Sequence, residues 1–128
     1  MSEPMLNEFG FTDPLETTGK CSQGKFRASA YSEHLRNKGL LTGFWSDLWE
    51  KVRTRTLGVA YGKSFLSSDD HIDAWLMDRG RAYVTEHAAD KKPWFLWVGP
   101  PGPHDPFDPP GDWAEMYDPS SLDAGLRR

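Results

Sequence analysis

A histidine in a proline-rich loop is the clearest place for chemistry in this chain of 128 residues. His104 lies in the stretch 99–110, GPPGPHDPFDPP, and 6 of the 10 prolines fall between Pro100 and Pro110. Proline fixes φ, so such a loop loses little entropy on ordering and holds its side chains in fixed directions. An imidazole there can donate a hydrogen bond to an anion or transfer a proton. Bracing the loop through a backbone hydrogen bond explains a lone histidine equally well.

Two aspartates, Asp105 and Asp108, follow this histidine in the loop. Either carboxylate can orient the imidazole. Turn formation next to proline explains both residues equally well.

The segment before the loop has the composition of a buried strand. Residues 94–98 read WFLWV, without alternation of polar and apolar positions. Such a run predicts a strand covered on both faces, inside a parallel sheet with helices on each side. In open α/β sheets ligands bind beyond the carboxyl ends of the strands, where His104 would lie. We therefore predict an α/β fold. Because no second convincing strand is present, we expect the sheet to be incomplete and the chain to be part of a larger domain.

Three helices are predicted around this strand. Ser29 is a suitable N-cap for the first helix, and Gly39 followed by an apolar residue is typical of a Schellman stop. The second helix is predicted over 42–52, where apolar residues form one stripe. The third is expected after Ser67 and to continue to about Ala89.

Composition excludes several classes of protein. The net charge of −4 argues against nucleic acid as a partner, because phosphate binding favours a basic surface. No apolar run approaches the roughly 18 residues of a membrane span, so no membrane segment is predicted. The N-terminus lacks the basic and apolar regions of a signal peptide, and the localisation stays open. The single cysteine, Cys21, excludes an internal disulfide and a cysteine-rich zinc site.

An acidic stretch at 69–73 is a second candidate site. Asp69, Asp70, His71 and Asp73 carry groups that bind hard cations. Consecutive positions at a helix start point in different directions, however, and carboxylates there compensate the helix dipole. Helix capping is therefore the favoured interpretation, and no metal site is predicted in this chain.

Several segments, in order, resemble the sulfatase family of the alkaline-phosphatase superfamily. Residues 92–110, KPWFLWVGPPGPHDPFDPP, are similar to the family's K-P-F-F-L-type strand that runs into a P-H-x-P loop. Residues 6–11, 31–41 and 70–75 resemble elements that precede that strand in the family. The resemblance implies an alkaline-phosphatase-like sandwich with a mostly parallel sheet flanked by helices. Residues 1–128 would form an internal portion of one catalytic domain.

The activity that the resemblance implies is hydrolysis of sulfuric esters, with a small-molecule or glycan sulfate ester as substrate. The family uses a formylglycine nucleophile, made from Cys or Ser in C/S-x-P-S-R, and a divalent cation, usually calcium, that polarises the sulfate. The loop histidine contacts the sulfate or the leaving oxygen, and this role maps onto His104. We predict His104 as the catalytic residue, and His104 with Asp105 as substrate-binding residues.

The chain departs from the family at both catalytic ends. No C/S-x-P-S-R motif is present, and Cys21 in KCSQG lacks the proline and arginine of that motif. The metal-binding aspartates of the family belong before the nucleophile and well beyond the histidine loop. We therefore expect the nucleophile and the metal ligands to be missing, and the isolated chain to show no turnover.

Two alternatives remain open. Relatives on the same fold that share the histidine loop hydrolyse phosphonates or phosphate monoesters, so the chain can equally be a fragment of such an enzyme. A non-catalytic role is also possible, because Pro100, Pro103, Pro106 and Pro109 recur with the period of a polyproline II helix. Such a segment can dock into an SH3- or WW-like groove. This interpretation leaves the strand-like run at 94–98 unexplained. The sequence does not indicate the oligomeric state.

Overall fold

Three α-helices provide the regular secondary structure of the computed structural model, which describes residues 5–22 and 29–121. Helix α1 spans Ala30–Asn37, α2 spans Leu41–Arg53 and α3 spans Ile72–Glu86. The described chain also contains short 3₁₀ helices: Met5–Phe9, Lys20–Ser22, Gly111–Glu115 and Pro119–Ser121. Within these residues, no helix has both the length and the apolar character needed to cross a membrane.

Both ends of α1 form as the sequence predicts. The Ser29 hydroxyl accepts a hydrogen bond from the Ser32 amide, and the Ser32 hydroxyl accepts one from the Ser29 amide. At the other end Gly39 has a φ of +70°, and the Leu40 amide donates to the Leu35 carbonyl at 2.8 Å. Only a residue tolerant of positive φ fits this Schellman stop. The turn aims the chain from α1 into α2.

The core lies where the three helices meet. Tyr31 and Leu35 of α1 are fully buried at its centre. The Tyr31 ring lies 5.3 Å from the Trp75 ring and 6.3 Å from the Phe44 ring, centroid to centroid. The remaining buried members of this cluster are Leu48, Leu66, Ile72 and Leu76. One apolar face from each helix therefore closes the core.

Helix α3 is shorter than predicted. Ser67 caps a turn rather than the helix: its hydroxyl accepts the Asp70 amide at 3.3 Å, whereas α3 begins only at Ile72. The Tyr31 hydroxyl donates to the Asp70 carbonyl at 2.8 Å and thereby attaches this turn to α1. The predicted end at Ala89 is also too late, because α3 ends at Glu86.

The predicted α/β fold is wrong for the chain that the structure describes. These residues form three α-helices and no strand or sheet. Their β-bridges, between Thr56 and Val59 and between Tyr61 and Phe107, are isolated. An alkaline-phosphatase-like sandwich with a mostly parallel sheet is therefore absent from this part of the chain. The reason is that a strand needs hydrogen-bonding neighbours. An apolar run at 94–98 indicates a segment suited to burial, but no described segment pairs with it.

Candidate functional site

Two carboxylates attach the proline-rich loop 99–110 to the rest of the molecule. Asp73, in the first turn of α3, accepts the Gly102 amide on Oδ1 at 3.0 Å. Asp105, within the loop, accepts the Ala60 amide on Oδ1 at 2.7 Å. One contact holds the loop before His104 and the other holds it after, so both flanks of the histidine are fixed.

The end of the loop runs beside residues 60–64. The Phe107 amide donates to the Ala60 carbonyl at 2.9 Å, and the Gly62 amide donates to the Phe107 carbonyl at 3.0 Å. The Ser64 amide then donates to the Pro109 carbonyl at 3.0 Å. These bonds continue the attachment begun by Asp105.

A buried ion pair lies beneath this part of the loop. The Lys20 ammonium is 2.8 Å from Asp108 Oδ1 and also donates to the carbonyl of fully buried Pro106 at 3.3 Å. Both charged side chains are 7% exposed. Burial acts to raise the pKa of the Asp108 carboxyl, but the His71 ring and the Lys20 ammonium outweigh it, so this pKa lies below its usual value. Asp108 is thus held as an anion.

The ring of His71, the N-cap of α3, lies beside this pair but not within hydrogen-bond distance of it. Its Nε2 is buried, finds no partner in the described chain and lies 3.7 Å from Asp108 Oδ1. Its Nδ1 lies 3.7 Å from Asp73 Oδ2. A buried nitrogen without a partner costs about 1–3 kcal/mol. We refer to Lys20, His71 and Asp108 as the buried polar cluster.

The buried polar cluster forms one side of a cavity of about 450 Å³. Phe107 and Trp113 contribute aromatic surface to the same cavity. His104 does not line it. The cavity and the predicted catalytic histidine are therefore two distinct features of one loop.

His104 is exposed and its ring is oriented by the backbone. Nδ1 lies 2.5 Å from the Asp105 carbonyl oxygen, and the His104 amide donates to the Pro101 carbonyl at 3.0 Å. A carbonyl only accepts, so Nδ1 carries the proton and donates. Nε2 remains available to an incoming group. The backbone hydrogen bond expected of a bracing histidine is thus present, and it leaves the other ring nitrogen open.

The other sequence-predicted residues have different partners. The Asp105 carboxylate is occupied by the Ala60 amide, whereas its carbonyl holds His104. Cys21 is exposed, and its Sγ lies 3.8 Å from the Asp105 carbonyl oxygen. Partial burial and the carboxylates of Asp105 and Asp108 raise the pKa of the Cys21 thiol, which disfavours the nucleophilic thiolate.

The acidic stretch at 69–73 makes contacts with protein groups. Asp70 Oδ1 lies 2.6 Å from the Lys38 ammonium and 3.1 Å from His34 Nε2. Across residues 5–22 and 29–121, no three His, Cys, Asp or Glu side chains are arranged to hold a metal ion. The described residues therefore do not fit the calcium ion that the sulfatase resemblance implies.

Sequence reasoning missed the buried polar cluster. Lys20 and Asp108 are 88 positions apart, and neither lies in an α-helix or in a motif that links them. The sequence places His71 at a helix start and beside candidate cation ligands, and it does not link His71 to Lys20 or Asp108. The abundance of proline around Asp108 indicates a rigid loop, but nothing in the local sequence identifies a buried cation beneath it.

Comparison with family models, with curated proteins and with solved structures finds no significant match to this chain. The sulfatase resemblance therefore depends on the segment 92–110 and the shorter upstream similarities alone.

Proposed function

We propose that this chain is part of a sulfuric ester hydrolase and that His104 supplies a hydrogen-bond donor to the ester. One observation carries the proposal. His104 stands on a loop fixed on both sides, with Nδ1 donating to the Asp105 carbonyl and Nε2 directed away from that bond. This is the orientation that a histidine needs to act through one defined nitrogen.

The chemistry of His104 follows from its protonation state. As an imidazolium it donates from Nε2 to a sulfate oxygen, and a hydrogen bond between charged partners is about twice as strong as a neutral one. At the bridging oxygen, the same proton neutralises the charge that develops on the leaving group. We assign no nucleophilic or metal-dependent step to the described residues, and the isolated chain is expected to bind the ester without hydrolysing it.

The buried polar cluster has a positioning role in this proposal. Lys20 and Asp108 fix the backbone at Pro106, two residues beyond His104. Asp105 fixes the direction of the ring through its carbonyl. These residues keep Nε2 in one place, and none of them needs to contact the ester.

Binding of three related phenyl compounds to the purified chain tests the proposal. Imidazole signals are followed by NMR during titration with 4-nitrophenyl sulfate, 4-nitrophenyl phosphate and 4-nitrophenol. We expect the His104 signals to shift to saturation with the sulfate ester and to remain in place with the phenol. His104→Gln should abolish binding of the sulfate ester. The matched control His87→Gln, at the end of α3 and beside Asp90, should leave it unchanged.

Two outcomes contradict the proposal. A saturable response to the phosphate ester, with none to the sulfate ester, would indicate the phosphonate or phosphate monoester alternative. No response of His104 to either ester would remove the role of this residue altogether. The proline-rich docking alternative gains no support, because Pro106 is fully buried and unavailable to a partner's groove.

A further inference from the structure

An open groove of about 750 Å³ lies between α3, the segment 95–99 and residues 11–17. His104 does not line it. Apolar side chains form most of its wall, among them Phe11, Leu76, Leu96 and Val98. The groove therefore has the volume and the apolar lining of a binding surface for apolar side chains.

Large aromatic side chains stand exposed at the edge of this groove. Phe95 is 75% exposed and Trp97 is 72% exposed, and both line the groove. Exposed apolar side chains that share one groove mark an interaction site more often than isolated apolar residues do.

The backbone beside the groove makes no hydrogen bonds within the part of the chain that the structure describes. From residue 94 to residue 99, no amide or carbonyl makes a hydrogen bond with a described residue. The Trp94 indole donates to the His87 carbonyl at 3.2 Å, but this bond uses the side chain. Unpaired amides and carbonyls in a row are the groups with which an incoming extended peptide pairs.

The charges around the groove select the kind of partner. Asp13, Glu16 and Glu86 line it together with a single cation, Arg79. The groove is thus net negative, and the whole chain carries −4. A second copy of the chain would bring like charges together, whereas lysine or arginine side chains would complement the rim.

We propose that this groove binds an extended peptide segment in which apolar residues alternate with lysine or arginine. The apolar side chains enter the groove against Phe95 and Trp97, and the basic side chains meet Asp13, Glu16 and Glu86. The peptide backbone pairs with residues 94–99. This assignment depends on exposure, unpaired backbone groups and charge, and it is independent of the ester-binding role of His104.

Designed nonapeptides test the proposal with the full chain. The probe alternates valine and lysine, a second peptide alternates valine and glutamate, and a third repeats the valine–lysine sequence with alternate backbone nitrogens methylated. We expect the valine–lysine peptide to change tryptophan fluorescence to saturation and to protect the amides of 94–99 from hydrogen exchange. The valine–glutamate and N-methylated peptides should each bind at least about tenfold more weakly.

Variants locate the binding to the groove. The double variant Phe95→Ser, Trp97→Ser should weaken binding of the valine–lysine peptide at least about tenfold, because aromatic anchors dominate such interfaces. Both side chains are largely exposed, so the fold should survive. The matched control Tyr117→Ser, also at an exposed aromatic residue but outside the groove, should bind as the unaltered chain does.

Several results would overturn the proposal. Equal affinity for the lysine and glutamate peptides removes the charge argument, and equal affinity for the N-methylated peptide removes the backbone pairing. Absence of binding by the valine–lysine peptide removes the site. A dimer in sedimentation whose 94–99 amides are protected without peptide would assign the groove to a second copy. Binding that appears only after deletion of residues 122–128 would assign it to the chain's own C-terminal segment.

Discussion

Leu35, among the helices, and Pro106, in the proline-rich loop, are both fully buried. The interactions that surround them differ. Around Leu35 the neighbours are aromatic and aliphatic side chains from all three helices. The Pro106 carbonyl accepts a hydrogen bond from the Lys20 ammonium, which is paired with the Asp108 carboxylate. The helical region is held by apolar packing, whereas the loop is held by hydrogen bonds and a buried ion pair.

This difference has consequences for how each region responds to change. Apolar packing is lost in proportion to the side-chain volume removed and depends little on pH. A buried ion pair fails as soon as one partner is removed or neutralised, because the other charge is left without compensation. The loop region is therefore the part of the molecule that electrostatic perturbation disturbs first.

The largest effect is expected from Asp108→Ala. Removal of the carboxylate leaves Lys20 buried and unpaired, so the free energy of unfolding should fall by about 3–5 kcal/mol in urea titrations. The double variant Lys20→Met, Asp108→Leu should recover most of this loss, because an apolar pair can replace a buried ion pair. The matched control Glu115→Ala breaks the exposed pair with Lys63 and should change stability little. If Asp108→Ala and Glu115→Ala lowered the free energy of unfolding by comparable amounts, the distinction between the buried and the exposed ion pair would be contradicted.

The next largest effect is expected in the helical region. Leu35→Ala should lower the free energy of unfolding by about 2–5 kcal/mol, since it opens a cavity in the core. Phe95→Ala removes a larger side chain that is 75% exposed, and it should change stability by no more than about 0.5 kcal/mol. Urea titrations of the two variants provide the measurement. Equal losses would show that the segment 94–98 is packed as firmly as the helices.

The smallest effect is expected in the pH dependence of the free energy of unfolding at acid pH. The pKa of Asp108 is lower in the folded chain than the value near 3.9 expected for an unfolded aspartate. Its stabilisation is therefore fully present above about pH 4 and is lost as the pH falls through the folded value. Unfolding measured at successive pH values should show this decline, and Asp108→Asn should reduce its slope.

Asp70 supplies the corresponding comparison in the helical region. Burial acts to raise the pKa of its carboxyl, but hydrogen bonds from Lys38, His34 and Ser67 lower it below the usual value. Asp70→Asn should therefore remove another part of the acid dependence. If Asp108→Asn leaves the slope unchanged while Asp70→Asn removes it, the loop is not the acid-sensitive region.

The sequence predicts contacts between residues that are close along the chain, but not contacts between distant segments. Both caps of α1 follow from residues within a few positions of one another, Ser29 with Ser32 and Gly39 with Leu40, and both predictions are confirmed. A strand at 94–98 would need hydrogen-bonding neighbours from elsewhere in the chain, and the apolar run alone does not provide them.

The candidate site shows the same limit. The motif indicates His104 and a rigid loop, because both are local properties. Lys20 is invisible to that reasoning, since its pairing with Asp108 spans 88 positions. The direction of the His104 ring is set by the backbone carbonyl of Asp105. Every residue has such a carbonyl, so the sequence does not indicate this contact.

Asp105 connects two segments that are far apart along the chain. Its carboxylate receives the Ala60 amide, and its carbonyl receives His104 Nδ1. A displacement of the turn at 56–60 would therefore rotate the Asp105 residue and redirect His104 Nε2. The orientation of the imidazole thus depends in part on the Ala60 amide, which lies 45 positions before Asp105 in the sequence.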